Sequence, residues 1–101
     1  MKSLELEPKR ADAHVNLANV YALTFQDYQK ANNHYEKALE LTPEDGQLHY
    51  NYAAVLDAQS NLERAIEHYQ LARKYGIEIA EKNLRNAMAR FVAQSAKSTK
   101  N

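Results

Sequence analysis

Apolar residues recur along this chain at intervals of three and four, the spacing of one face of an α-helix. Four stretches show this pattern in succession. Their apolar positions are Val15, Leu17, Ala18, Val20 and Tyr21; Ala31, Tyr35, Ala38 and Leu39; Leu48, Tyr52, Ala53, Val55 and Leu56; and Leu62, Ala65, Ile66, Tyr69 and Ala72. A fifth stripe runs through residues 78–95. The pattern predicts an all-α fold.

Turn signals divide the first four predicted helices into two hairpins. Pro43 ends the first hairpin, and the sequence TPEDG leads into the next helix. Gly76 in KYGIE can end the second hairpin as a left-handed C-cap. Only two glycines and two prolines interrupt 101 residues rich in good helix formers, which agrees with a wholly helical chain.

The two hairpins are copies of one another. His14 coincides with His49 and Asn16 with Asn51 at an offset of 35, and His34 coincides with His68 and Tyr35 with Tyr69 at an offset of 34. The offset changes between Tyr21 and Ala31, so the first copy carries one additional residue there. Insertions are tolerated best in connecting segments, which predicts that the hairpin turn lies in this interval.

The spacing of these residues resembles a known repeat. His14-x2-Leu17-Ala18-x2-Tyr21, then Ala31-x3-Tyr35 and Pro43, is matched by His49-x2-Tyr52-Ala53-x2-Leu56 and Ala65-x3-Tyr69. Both copies resemble the tetratricopeptide repeat (TPR), a helix–turn–helix of 34 residues, with His at the family's usual Trp and Ala at its usual Gly. The resemblance covers residues 1 to about 77. It implies a right-handed superhelical stack of antiparallel helical hairpins, a TPR-like α-solenoid.

The domain organisation follows from these copies. We expect a remnant of the end of a preceding repeat at 1–10, TPRs at 11–43 and 44–77, a C-terminal capping helix at 78–95 and a disordered tail at 96–101. The first assignment rests on LELEP, which repeats the closing LELTP of the first hairpin. Two alternatives stay open. Residues 78–95 could begin a degenerate third repeat, and the open edge with Leu4 and Leu6 could contact a lost neighbour or another copy.

Composition narrows the classes of partner. The formal net charge is zero, so no overall field favours nucleic acid or membrane surfaces. No run of about 18 apolar residues could span a membrane. There is no cysteine, which excludes disulfides, thiol nucleophiles and thiolate metal sites. We expect a cytoplasmic protein with protein partners.

No catalytic or cofactor motif stands out. The chain has neither a glycine-rich phosphate loop nor G-x-S-x-G. The four histidines fall in register, His14 with His49 and His34 with His68. Repeat equivalents should lie roughly 10 Å apart, too far for one ion with bonds of about 2 Å. We therefore expect packing roles for the histidines, no metal, no cofactor and no enzyme activity.

The resemblance implies that the first helix of each hairpin lines a concave groove. Groove-facing positions are Asp12, Val15, Asn16, Asn19 and Leu23; Gln47, Tyr50, Asn51, Ala54 and Asp57; and Glu81, Leu84, Arg85 and Met88. The predicted peptide-binding residues among them are Val15, Asn16, Asn19, Tyr50, Asn51 and Arg85. An asparagine amide offers a donor and an acceptor together, which suits an extended peptide backbone. Asn16 and Asn51 thus resemble the asparagine ladder of some members of the family.

A second family mode is a clamp for the acidic C-terminal tails of chaperones. Asn19, Asn51 and Arg85 match this pattern, whereas Val15 and Glu81 stand where the clamp has lysines. Hydrogen bonds to charged groups contribute about 1.5–3 kcal/mol each, so two missing lysines are costly. The leading hypothesis is a non-enzymatic protein–protein interaction scaffold that binds an extended peptide or partner helix in its groove. The alternatives are a self-associating structural repeat module and the carboxylate clamp.

Overall fold

A computed structural model describes the backbone of residues 2–100 and the side chains of residues 10–95. Its elements are α1 (Lys2–Val20), a π-helical turn (Tyr21–Phe25), α2 (Tyr28–Leu41), α3 (Gly46–Ala58), α4 (Leu62–Lys74) and α5 (Ala80–Lys100). Within residues 2–100 there is no strand. The predicted all-α stack of helical hairpins is confirmed.

The expectations for the two ends of the chain, a remnant of a preceding repeat at 1–10 and a disordered tail at 96–101, stay predictions. Helix α1 runs from Lys2 to Val20, so no helix end marks the predicted boundary at residue 10. The side chains of Leu4 and Leu6, the apolar residues of the predicted open edge, lie outside the described residues. The side chains of the predicted tail at 96–101 also lie outside them.

The π-helical turn accommodates the additional residue of the first hairpin. The backbone N–H of Asp27 donates to the Tyr21 carbonyl at 2.9 Å, and the N–H of Asn61 donates to the Leu56 carbonyl at 2.9 Å. These are equivalent closing bonds, yet the first spans six residues and the second five. The insertion therefore lies in the turn of the first hairpin, as the change of offset predicts.

Side chains and backbone geometry mark the starts and ends of helices at the predicted turns. Asp27 and Asp45 are N-caps, and their carboxylates accept from the backbone N–H groups of Lys30 at 3.3 Å and Leu48 at 3.2 Å. Gly76 has φ of 103°, a left-handed conformation that favours glycine. It follows α4, as expected of a C-cap.

Alanines and tyrosines form most of the core. The largest fully buried side chains are Tyr35, Tyr52, Tyr69 and Leu56. Alanines without exposed surface lie on facing helices, at Ala18, Ala31, Ala38, Ala53, Ala65 and Ala72. Small side chains let helix backbones approach closely, and the tyrosines fill the space between the crossings.

A ring stack and an amide pair are among the contacts that join the hairpins. The rings of Tyr35 on α2 and Tyr52 on α3 lie 5.1 Å apart between centroids, with an interplanar angle of 23°. The amides of Asn32 and Gln59 donate to each other, with N–O distances of 3.2 and 2.8 Å. These contacts fix α3 against α2.

In the repeat pattern, one face of the first helix of a hairpin is positioned to pack against the helix that precedes it. In α3 this face is Leu48, Tyr52 and Val55, all buried. The equivalent residues of α1 are Ala13, Leu17 and Val20, and all three are exposed. The face that α2 covers in the second hairpin is thus uncovered in the first.

Helix α5 packs on α4 through the same kind of face. Its buried residues are Ala80, Leu84 and Ala87, spaced like Leu48, Tyr52 and Val55. Matching these faces aligns α5 with α3 at an offset of 32. Arg85 then corresponds to the buried Ala53, where a large charged side chain is incompatible with a close helix crossing. The assignment of residues 78–95 as a capping helix, with the start of a degenerate third repeat as the alternative, stays a prediction.

The buried alanines yield a stability prediction. Ala53 has no exposed surface, whereas its neighbour Ala54 is exposed. We expect Ala53→Leu to lower the free energy of unfolding by about 1–3 kcal/mol, because the added atoms have no space at the helix crossing. Ala54→Leu is the matched control and should change it by less than about 0.5 kcal/mol. Urea denaturation measures both, and equal effects would contradict this packing.

Candidate functional site

A cleft of about 240 Å³ lies between α1 and α3. It is lined by Asn19, Leu23, Tyr35, Asn51, Ala54 and Val55. We call it the first cleft. The structure therefore brings together four of the predicted groove-facing residues, Asn19, Leu23, Asn51 and Ala54. Asn19 and Asn51 are the two of them predicted to bind peptide.

Both asparagines of the first cleft keep hydrogen-bonding capacity. The Asn19 side-chain oxygen accepts from the Tyr35 hydroxyl. The Asn51 oxygen accepts from Gln47 Nε2 at 3.1 Å. Their amide nitrogens donate to no other group among the residues described. Each side chain can therefore offer N–H donors to a ligand in the cleft.

Tyr35 connects the first cleft to the core. Its ring stacks on Tyr52, and burial raises the pKa of Tyr35 to about 12. The Tyr52 hydroxyl donates to the Glu36 carboxylate at 2.9 Å, and the Arg64 guanidinium donates to the same carboxylate at 2.7 Å. The hydrogen bond from Arg64 is the main reason that the pKa of Glu36 is lowered. This network ties α2, α3 and α4 together beside the cleft.

A second, larger cleft of about 600 Å³ lies between α3 and α5. It is lined by Asp57, Lys82, Asn83, Asn86, Ala89 and Arg90. The Asp57 carboxylate accepts from the Arg90 guanidinium and from the Tyr69 hydroxyl, the latter at 3.3 Å. Asn83 Nδ2 donates to the same hydroxyl at 3.4 Å. We call this the second cleft.

The second cleft continues the first along the stack. In the offset of 32, Asn83 is equivalent to Asn51, and Asn86 to Ala54. Asn83 donates to the hydroxyl of Tyr69, and Asn51 lies beside Tyr35 in the first cleft. Tyr35 and Tyr69 are equivalent residues of the two repeats. Asparagine amides therefore line both clefts, two in each. Sequence reasoning missed Asn83 and Asn86 because it extended the offset of 34 to α5.

The α5 residues of the predicted groove lie elsewhere. Leu84 is buried in the core against α4. Glu81, Arg85 and Met88 line neither cleft, and the Arg85 guanidinium lies 3.6 Å from the Glu81 carboxylate. Lys82, one residue out of register in the clamp pattern, lies in the second cleft. The apolar stripe Ala80, Leu84 and Ala87 was the signal that could have oriented this helix.

The other predicted peptide-binding residues lie outside the two clefts. Val15 is half-buried and packs against the core, and Asn16 is exposed. Tyr50 is half-buried, with its ring centroid 5.9 Å from that of Tyr69. Their role in binding stays a prediction.

The histidines pair within each repeat. His14 lies against His34, and His49 lies against His68. The side chains described for residues 10–95 form no group of three or more metal ligands. The two pairs belong to the contacts between the helices of each hairpin.

Family comparison agrees with this architecture. Two family models, both described as tetratricopeptide repeat, match residues 11–45 and 34–67. The chain belongs to the tetratricopeptide repeat family. This TPR chain therefore has the fold of a protein–protein interaction module.

One relative of this TPR chain is the DnaJ homolog subfamily C member 3 homolog of Dictyostelium discoideum. The two are 41% identical over 63 residues, which make up 62% of this chain and 12% of the relative. The match therefore concerns a small part of that protein. No helix within the described part of the TPR chain has the length and apolar character to cross a membrane.

Tyr35 gives a prediction for the first cleft. We expect Tyr35→Phe to lower the free energy of unfolding by about 1 kcal/mol, because Asn19 loses its hydroxyl donor. The folded pKa of about 12 exceeds the ordinary value of 10, so the tyrosine contribution is present below pH 10 and is lost as pH rises towards 12. Urea unfolding at alkaline pH should show a smaller loss for the variant. Equal losses would contradict this environment.

Proposed function

We propose that this TPR chain is a non-enzymatic scaffold that binds an extended peptide segment along its two clefts. One observation carries the proposal. Asn19 and Asn51 line one cleft, and the amide N–H groups of both lack partners in the described residues. Such amides can donate to and accept from a peptide backbone, whatever its side chains.

The spacing of the clefts suits an extended chain. Neighbouring packed helices lie about 8–10 Å apart, and an extended peptide advances about 3.3 Å per residue. Peptide residues about three positions apart would therefore reach successive clefts. Hydrogen bonds from Asn19 and Asn51 at one cleft, and from Asn86 at the next, would hold the backbone between them.

The linings of the two clefts differ in charge. Each cleft should therefore favour a different side chain of the bound peptide. Leu23, Ala54 and Val55 make part of the first cleft apolar. The second cleft carries Lys82 and Arg90 against Asp57, and Arg90 already pairs with that carboxylate. Lys82 is left without an ion-pair partner in the described structure. The preferred segment carries an apolar side chain and, about three residues away, an acidic one.

A peptide titration tests this groove. The probe is a fluorescent Ser/Ala peptide with one Leu and one Glu three positions apart, made in both orders, with Lys in place of Glu for comparison. We expect micromolar binding of one Glu peptide to the wild type. Asn19→Ala/Asn51→Ala should weaken it at least about tenfold, and Lys82→Ala should remove the preference for Glu over Lys.

Asn33→Ala is the matched control, because Asn33 is exposed on α2 and lines neither cleft. It should bind like the wild type in fluorescence anisotropy. A double variant that binds every peptide as the wild type does would rule out the asparagine groove. Failure of the wild type to bind at millimolar peptide would do the same.

Self-association is the second candidate, favoured by the uncovered face of α1. Leu17 and Val20 are 44% and 45% exposed, whereas the equivalent Tyr52 and Val55 are 0% and 8% exposed. A face that is buried in one repeat and open in the next can stack on another copy. The carboxylate clamp receives less support, since Arg85 pairs with Glu81 away from both clefts.

Analytical ultracentrifugation tests self-association. If copies stack through this face, the wild type should dimerise with rising concentration, and Leu17→Asp/Val20→Asp should stay monomeric, because burying unpaired carboxylates is costly. Leu23→Asp is the control, since Leu23 is exposed in the first cleft instead. A wild type that is monomeric at the highest concentration would exclude this candidate.

A further inference from the structure

Two histidine pairs occupy equivalent places in the two repeats. His14 Nδ1 lies 3.0 Å from His34 Nδ1, and His49 Nδ1 lies 2.9 Å from His68 Nδ1. In each pair one ring comes from the first helix of the hairpin and the other from the second. We call them the first and the second histidine pair. Neither pair lines the peptide clefts.

The hydrogen bonds of the second pair define its tautomers. His49 Nε2 lies 2.8 Å from the Pro43 carbonyl oxygen, which can only accept. His49 must therefore carry its proton on Nε2, and in the neutral ring its Nδ1 is an acceptor. His68 then donates from Nδ1. Every contact of the neutral pair is satisfied in this way.

The same geometry limits the number of protons in each pair. One added proton is accommodated, because a protonated His49 can donate to an unprotonated Nδ1 of His68. A second proton would place two N–H donors and two positive charges about 3 Å apart. Like charges at this distance repel strongly, so the rings would have to separate.

The surroundings of the second pair also disfavour a second proton. Arg64 on α4 and Glu36 on α2 are the charged groups beside His68, and Tyr52 and Tyr75 contribute neutral rings. Burial is the main reason that the pKa of His68 is lowered to about 4, followed by His49 and Arg64. Glu36 acts in the opposite direction and is the smallest contribution.

The first pair has a similar setting. Arg10 on α1 and Lys37 and Glu40 on α2 share a cleft with His14. The Tyr21 ring stacks on His34, with centroids 5.7 Å apart. Burial, then His14 and Lys37, lower the pKa of His34. Both pairs thus place two imidazoles in contact, with cationic side chains nearby.

We propose that the two histidine pairs form a proton-responsive device, which joins the helices of each repeat while a pair holds at most one proton and releases them when both rings are protonated. The second pair has an additional effect, because His49 also donates to Pro43 in the connection between the hairpins. Acidification then loosens the connection between repeats as well as each repeat. The proposal does not depend on the peptide groove.

The direction of the pH dependence follows from proton counting. The unfolded chain can protonate all four histidines near the ordinary pKa of 6.5, whereas the contact between the rings leaves room for one added proton per pair in the folded chain. Unfolding at about pH 5 should therefore take up about two protons. The contribution of the histidine pairs to the free energy of unfolding is fully present above pH 6.5. It is lost as the pH falls towards the His68 pKa of about 4.

Nitrogen-15 NMR of the histidine rings in the wild-type protein tests the proposal directly. At pH 7.5 we expect the Nε2–H tautomer for His49 and the Nδ1–H tautomer for His68. On acidification, one ring of each pair should resist protonation until the chain unfolds. Four rings that each protonate near pH 6.5 in a chain that stays folded would overturn the proposal.

A variant supplies the second test. In His34→Asn/His68→Asn the asparagine nitrogen can donate in place of Nδ1, yet the side chain does not titrate. We expect the urea midpoint of the wild type to fall between pH 7.5 and 5, and that of the variant to change at most half as much. Equal changes would overturn the proposal. Should the variant not fold, the ring titration of the wild type still decides.

Discussion

The stack of Tyr35 on Tyr52 is the contact on which the arrangement of this chain depends. It joins α2 to α3, and aromatic pairs add about 0.5–1.5 kcal/mol beyond the area that they bury. Tyr35 also donates to Asn19, while Tyr52 donates to Glu36. The pair that holds the hairpins together thus orients a side chain of the first cleft. A change in the angle between the hairpins would move Asn19 relative to Asn51.

The next joint along the stack is built from different chemistry. Tyr69 occupies the place of Tyr35, but across this joint its hydroxyl accepts from Asn83, whereas Tyr35 stacks on the Tyr52 ring. Because α5 brings Arg90 and Lys82 to this place, charged side chains line the second cleft, which is larger than the first. The asymmetry between the joints gives the groove an apolar part and a charged part. It arises from α5, whose residues no longer follow the repeat.

The sequence was sufficient for the features that depend on local pattern and less so for those that depend on helix rotation. Hairpins, copies, the insertion after Tyr21 and the turn at Gly76 all have signals in neighbouring residues. The orientation of α5 departs from the repeat offset, and its signal is the apolar stripe Ala80, Leu84 and Ala87 rather than the spacing of the copies. An offset of 34 places Arg85 at the position of Asn51, whereas the burial of Leu84 places Asn83 there. The equivalent positions of the histidines in the two repeats can be read from the sequence. Their pairing cannot, because it depends on how the two helices of each hairpin cross.

The second histidine pair and the groove share a structural element, the connection between the hairpins. His49 donates to the Pro43 carbonyl, and the residues after Pro43 begin α3, which contributes Asn51 and Asp57 to the two clefts. If protons loosen this connection, a peptide that spans both clefts must favour the state with fewer protons, because coupling between two binding events is reciprocal. Bound peptide would then lower the proton affinity of the pair. The coupling free energy equals the difference in the free energy of peptide binding between the two protonation states. A connection that stays rigid in both states would therefore give no coupling.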